Sequence, residues 1–258
     1  MRITVLVENT SSNKNFYAEH GLSLYIQTKN KNILFDMGQT DLFYENAKKL
    51  GVDIEKTDIA VISHGHYDHG GGLEKFLSIN SFAPVYISSF AFNEYYNKDR
   101  KYIGLNKSLM NNERLVFTND IYQIDPQITL CSHNNSIKAF DFDNCGLSEF
   151  KDGDYFPDSF RHEQYMLINE DKKRVLISGC SHKGILNITN WFKPDVLIGG
   201  FHLSKFPLDE KLKNCAKTLS VTDTDFYTCH CTGIKQFEFM KKYIKNLHYI
   251  STGQTIVI

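Results

Sequence analysis

The sequence predicts an α/β protein in which sheets carry helices on their outer faces. Three observations predict it. Apolar strand-like runs alternate with stretches of helical spacing at both ends of the chain. Several of those runs end in glycine-rich turns that also carry histidine. The 258 residues, 41% hydrophobic and 23% charged, are enough for a substantial core and ordinary for a globular protein. No linker, low-complexity tract or fixed-period repeat divides the chain, so one domain spanning 1–258 is the simplest organisation.

The elements follow in order. Ile3 to Val7, Leu22 to Gln27 and Asn32 to Phe35 read as strands, with Thr28 to Lys31 as a polar hairpin turn. Asp41 to Leu50 places Leu42, Phe43, Ala47 and Leu50 at helical spacing, and Gly51 is a stop just beyond. A strand, Asp58 to Ile62, leads into a histidine-rich run and then a short helix from about Gly72 to Ile79. From Asn80 to Asp158 short pieces (Val85 to Ser88, Leu115 to Thr118, Ile128 to Cys131) read as strands, with a lid or insertion within about 80–158. Phe90, Phe92, Tyr95, Tyr96 and Tyr102 read as a helical packing face, with a stacking wall for a planar substrate as the alternative. Lys98, Arg100, Lys101 and Lys107 read as a solvated charged face, with a phosphate site as the alternative.

The last part is regular. Tyr165 to Asn169 and Arg174 to Ser178 form a hairpin. Three strand-then-helix units then end their strands in Gly179-Cys180-Ser181-His182, Gly199-Gly200-Phe201-His202 and Cys229-His230-Cys231-Thr232-Gly233. Their helices span Gly184 to Phe192, Asp209 to Leu219 and Ile234 to Ile244, and a strand at Thr255 to Ile258 closes the chain.

Chemistry concentrates in Ser63-His64-Gly65-His66-Tyr67-Asp68-His69. Four potential ligands, His64, His66, Asp68 and His69, directly follow the buried-strand run Ile59-Ala60-Val61-Ile62. Imidazole and carboxylate are the ligands that zinc and other first-row metals favour. Functional groups in α/β folds gather beyond the carboxyl ends of strands, which is also where His182, His202 and His230 stand. If the segment around His230 is extended, Cys229 and Cys231 face away from it as buried thiols.

The run resembles the signature of the metallo-β-lactamase fold superfamily. Leu34-Phe35-Asp36-Met37-Gly38 is similar to the strand-Asp-x-Gly motif that precedes it there. Glu19-His20-Gly21-Leu22-Ser23, His162-Glu163-Gln164 and the three late strand ends extend the likeness over nearly the whole chain. Together they resemble a subgroup of metal-dependent hydrolases labelled 7,8-dihydropterin-6-methyl-4-(β-D-ribofuranosyl)aminobenzene 5'-phosphate synthase.

The resemblance implies a four-layer αββα sandwich with one or two zinc ions, manganese or iron being the alternatives. His64 and His66 would bind the first ion, with His182 or His162 as third ligand. Asp68, His69 and His230 would bind the second. Cys180 stands where many members have an aspartate, and would bridge as a thiolate or leave the bridge to water. A cation held by three imidazoles lowers the pKa of a bound water toward ~7 and supplies hydroxide at neutral pH. Asp68 would move a proton while orienting the nucleophile. Read from the residues alone, His202 lines the substrate pocket, acts in catalysis, hydrogen-bonds a ligand or caps a helix, and His20 contacts substrate, supports a ligand or is a hairpin residue with a structural hydrogen bond.

The expected activity is hydrolysis of an ester, lactone or phosphoester in a small metabolite, including pterin-type or ribofuranosyl-phosphate compounds. A diiron redox protein and a non-catalytic metal-binding module are the alternatives; diiron members place a glutamate where His66 stands. The net charge of −1 offers no basic field for nucleic acid. No apolar run is long enough to cross a membrane, and Met1 to Val7 turns polar at Glu8, too early for a signal peptide. Six cysteines without a small-secreted-domain pattern point to a reduced, cytoplasmic protein.

Overall fold

The computed structural model describes residues 1–141, 143 and 145–258; residues 142 and 144, inside the stretch read as strands with a lid or insertion, lie outside the described residues. The chain divides into two compact units, Met1–Asn119 with Gly146–Gln164 and Ser251–Ile258 in the first, Asp120–Cys145 with Tyr165–Ile250 in the second.

The first unit is built on a seven-stranded sheet. From edge to edge it runs Thr255–Val257, Arg2–Val7, Ser23–Gln27, Asn32–Phe35, Ile59–Val61, Val85–Ser88 and Leu115–Thr118. Pairings among the first four strands are antiparallel and the rest are parallel. The change follows from the connections. A tight turn, in which the Thr28 hydroxyl accepts the Lys31 N–H at 2.9 Å, can only join antiparallel strands. The later strands are joined by crossovers holding the helices Leu42–Leu50 and Leu73–Ile79. Phe43, Ala47, Leu73 and Phe76 of those helices share a buried cluster with Leu6, Leu34, Ala60 and Val85 of the sheet. Gly51 ends the first helix at φ +69°, a left-handed cap.

The middle of the chain is distributed rather than continuous. Glu94–Tyr96, Ser148–Lys151 and Asp154–Pro157 form a separate three-stranded antiparallel sheet in the first unit. The aromatic stretch expected to be helical is therefore a strand at its centre. Neighbouring side chains alternate: Tyr95 is buried, its hydroxyl donating to the Phe90 carbonyl at 2.7 Å, while Tyr96 packs edge-on to Tyr155.

The second unit has its own seven-stranded sheet: Leu247–Tyr249, Asp225–Thr228, Val196–Gly199, Lys173–Ile177, Tyr165–Glu170, Ile128–Cys131 and Ile121–Gln123. The first four strands are parallel, and the hairpin Tyr165–Glu170/Lys173–Ile177 begins the antiparallel side. Asp171 and Lys172 both take positive φ at its two-residue turn, as the twist of paired strands favours. The helices are Ile185–Phe192, Glu210–Ser220 and Ile234–Met240. Asp209 caps the second of these by accepting the Lys211 and Leu212 N–H groups. Among the described residues, no helix is long and apolar enough to cross a membrane.

Candidate metal centre

In the first unit the ligand run begins where the strand Ile59–Val61 leaves the sheet. Asp36 arrives beside it from the end of the parallel neighbour Asn32–Phe35. The Asp36 carboxylate is buried and accepts three hydrogen bonds: from the Ser63 N–H at 2.7 Å, the Ser63 hydroxyl at 2.7 Å and His69 Nδ1 at 2.6 Å. Serine has one proton to give, and the carboxylate takes it. Ser63 Oγ, 2.8 Å from His64 Nδ1, must then accept from that ring. Both imidazoles thus carry their proton on Nδ1 and present Nε2 as the acceptor, the tautomer a metal requires.

His66 is buried against His64, Tyr95 and His162. Burial, with His162 packed alongside, pushes its pKa down to about 3, so the ring stays neutral with a lone pair to donate. Asp68 lies on the helical turn Tyr67–Gly70. Its Oδ2 is 3.8 Å from His69 Nε2, so two acceptors face each other across a gap that two bonds of about 2.1 Å to one ion can span. The residues of this run therefore fit a divalent metal.

His20 is half a step outside. Asn9 accepts the Gly21 N–H with Oδ1 and turns its amide toward His20 Nδ1. The His20 proton is then on Nε2, 3.2 Å from Asp68 Oδ2, where it steadies the carboxylate. His162 is fully buried; its Nδ1 accepts the Gly65 N–H at 2.8 Å and its Nε2 donates to Asp158 Oδ2 at 3.0 Å. Both nitrogens are spent, so His162 leaves no lone pair for a metal. It instead fixes the backbone between His64 and His66. Gly65 itself is required, since a Cβ there would lie 2.2 Å from the Ala91 carbonyl oxygen.

In the second unit three adjacent parallel strands end side by side, Val175–Ile177 aligned with Val196–Ile198 and those with Asp225–Tyr227. The loops that follow bring the ligand atoms of Cys180, His182 and His202 within 4.8 Å of one another, and likewise those of Cys180, His230 and Cys231. The His182 and His202 rings are 4.2 Å apart. Ser181, His202 and His230 all sit at positive φ, between 48° and 61°. Non-glycine residues held there store strain, and such strain clusters at functional sites.

Sequence reasoning placed Cys231 on the far side from His230, and the structure corrects that. His230–Thr232 is a tight 3-10 turn, not an extended segment, so alternation does not apply. Cys231 Sγ accepts the His202 N–H at 3.2 Å and contacts the Cys180 carbonyl at 3.4 Å. Burial would raise this thiol, but the Cys180 and His202 contacts, with His230 close by, bring it well below the usual value. Burial likewise opposes charge on His202, yet Cys145 and Cys231 hold its pKa up, to about 10. Ser63 and Asp158 were the residues missed, and Cys231 the one misplaced. Of the two missed, Asp158 left a trace in the sequence, four positions ahead of His162.

Comparison with known proteins is consistent along the chain. The metallo-beta-lactamase superfamily profile matches residues 17–217. An uncharacterised protein of Methanocaldococcus jannaschii is 31% identical, over 99% of this chain and 100% of its own. The 7,8-dihydropterin-6-methyl-4-(beta-D-ribofuranosyl)-aminobenzene-5'-phosphate synthase of the same organism is 27% identical, over 99% and 96%. The crystal structure of Tm1679, a metal-dependent hydrolase of the beta-lactamase superfamily, superposes with a TM-score of 0.83 at 29% identity, covering 100% of this chain and 99% of that one.

Proposed function

The chain belongs to the metallo-β-lactamase superfamily and has its α/β fold, and we propose that it is a metal-dependent hydrolase cleaving an ester, lactone or phosphoester bond in a small metabolite. The observation that carries this reading is the proton chain from His64 through Ser63 to Asp36 and from His69 to the same carboxylate, which leaves both Nε2 atoms as acceptors, the form in which imidazole binds a cation. When bound, a divalent metal supplies a Lewis acid and a water of lowered pKa. His64, His66, Asp68 and His69 are assigned as ligands in the first unit, and His182 and His230 in the second. Cys180 is assigned a supporting or bridging role. Imidazole with thiol suits zinc, one or two ions, with iron and manganese as alternatives.

The chain's own groups then divide the work. Asp68, steadied at Oδ2 by the His20 Nε2–H, orients the nucleophile and moves its proton. His202 is assigned to the leaving group or the substrate wall. The M. jannaschii synthase supports a phosphorylated, ring-bearing metabolite as substrate class.

Elemental analysis of the purified protein and a hydrolysis panel of phosphoesters, phosphodiesters and lactones test the reading. Bound zinc, and loss of more than about 100-fold in activity on His66→Ala, is the expected result. A protein without metal whose hydrolysis is indifferent to His66→Ala would sink it. A product with a new C–N bond and no hydrolysis would reassign the reaction to synthesis.

A further inference from the structure

The second unit holds a cavity of about 490 Å³ that the metal donors do not explain. Its size falls within the range of small-molecule sites. Phe140, Phe201 and Phe206 line it together with Ile185, Leu186 and Leu212. At the mouth the lining turns polar and exposed, with Lys211, Asn214 and Thr218 on one side of the helix Glu210–Ser220. Lys211 Nζ stands 5.7 Å from the centre of the Phe206 ring, and the exposed Asp141 and Asp143 belong to the same lining, so the polar rim carries both signs of charge.

Two features make this a built site rather than a packing gap. The wall at Phe140 is tied down by one side chain: the Asn187 amide accepts the Phe140 N–H at 2.9 Å and donates to its carbonyl at 2.8 Å. His202 also lines the cavity, and its ligand atom is within 4.8 Å of those of Cys180 and His182. An occupant therefore reaches the donor cluster directly, which a remote regulatory site would not allow.

We propose that this cavity receives a planar aromatic group of the substrate, with the rest of the molecule directed past His202 toward the cluster of Cys180 and His182. Three phenylalanine rings supply the faces and edges that aromatic groups prefer. Aliphatic walls exclude water around the group, so its transfer from water drives binding. The substrate class is an aryl or heteroaryl compound, not a small aliphatic one. This rests on the hydrolase reading for its link to catalysis, but binding to the cavity is measurable without catalysis.

The test uses calorimetric titration of the full chain. The metal-loaded protein is titrated with 2-naphthylphosphonate and with methylphosphonate, neither of which can be hydrolysed. Chelator-stripped protein is titrated with indole, which needs no metal. At least tenfold tighter binding of the naphthyl compound is expected, together with saturable indole binding. Leu186→Trp, which fills the cavity, should abolish both effects; Leu186→Ala, which enlarges it, should keep them and confirms that position 186 tolerates change. Equal affinity for the two phosphonates, or indole binding indifferent to Leu186→Trp, overturns the proposal. So does a change from dimer to monomer in sedimentation on Leu186→Trp, which would make the cavity a contact between copies. If no metal or hydrolysis is found but indole binding depends on Leu186, the hydrolase reading fails and the aromatic site stands.

Discussion

A single hydroxyl, that of Ser63, decides how His64 presents itself, while Asp36 does so directly for His69. The hydroxyl donates to Asp36 and accepts from His64, so removing it orphans a buried N–H and frees the His64 ring to turn. Ser63→Ala should weaken metal binding about 10–100-fold, read by chelator competition, and cost about 1–3 kcal/mol of stability. Unchanged metal affinity would show that the tautomer is fixed some other way. The ligand run itself was legible in the sequence because its residues are contiguous. Ser63 was not, because its role exists only once Asp36 arrives from the neighbouring strand. The choice between His162 and His182 was open for the same reason: spacing cannot reveal which ring nitrogens are already spent. Tyr25 gives a residue-level test away from the site. Burial, then the charges of Asp53 and Asp58, raise its phenol from 10.0 to about 12. The fold holds the neutral phenol, so this stabilisation is complete below the unfolded pKa and is lost as pH rises through the folded one. The stability advantage of wild type over Tyr25→Phe should therefore fall by on the order of 2 kcal/mol as pH rises from 10 to 12. A pH-independent difference in urea melts would refute it.

At the scale of elements, the loop bearing His202 is held by the turn bearing His230. Four successive N–H groups find acceptors there: Phe201 on the Thr232 hydroxyl, His202 on Cys231 Sγ, and Leu203 and Ser204 on the Cys231 carbonyl. This accounts for how His202 can be kept at φ +52°. Thr232→Val deletes one acceptor while keeping shape, so it should cost about 1–3 kcal/mol. Native-state hydrogen exchange should show faster exchange at the Phe201 amide; unaltered protection there would mean the loop is held by packing alone. The strand-to-helix units were readable because each strand is an apolar run and each helix opens beside a glycine or an aspartate. The middle of the chain was readable in part: Val85–Ser88, Leu115–Thr118 and Ile128–Cys131 are the strands their apolar runs predict, while Glu94–Tyr96, Ile121–Gln123, Ser148–Lys151 and Asp154–Pro157 were not seen. These last are three or four residues long, too short to show a period, and they join different sheets.

At the scale of the whole molecule, chain connectivity matters more than any local signal. The strand Thr255–Val257 was visible in the sequence, but its place was not, because its pairing partner lies at the other end of the chain. It borders Arg2–Val7, with Ile3 opposite Ile256 and Thr4 opposite Thr255. The Thr252 hydroxyl accepts the Glu8 N–H at 2.8 Å, and Gln254 accepts from Val5 at 2.9 Å. Pairing across so long a separation forms late, since the loop entropy is lost before the contacts repay it. The first unit's sheet is thus completed only after the second unit's segments have been made. A chain cut after Ile250 should lose these bonds, leave the Arg2–Val7 edge unpaired and expose a template for self-association. Hydrogen exchange should show protection lost at Val5 and Glu8 with protection kept at Leu197 and Ile198, which lie in the other sheet. Uniform loss across both sheets would mean that the two units unfold as one cooperative body. Full protection at Val5 would mean that the closing strand contributes nothing to the edge it covers.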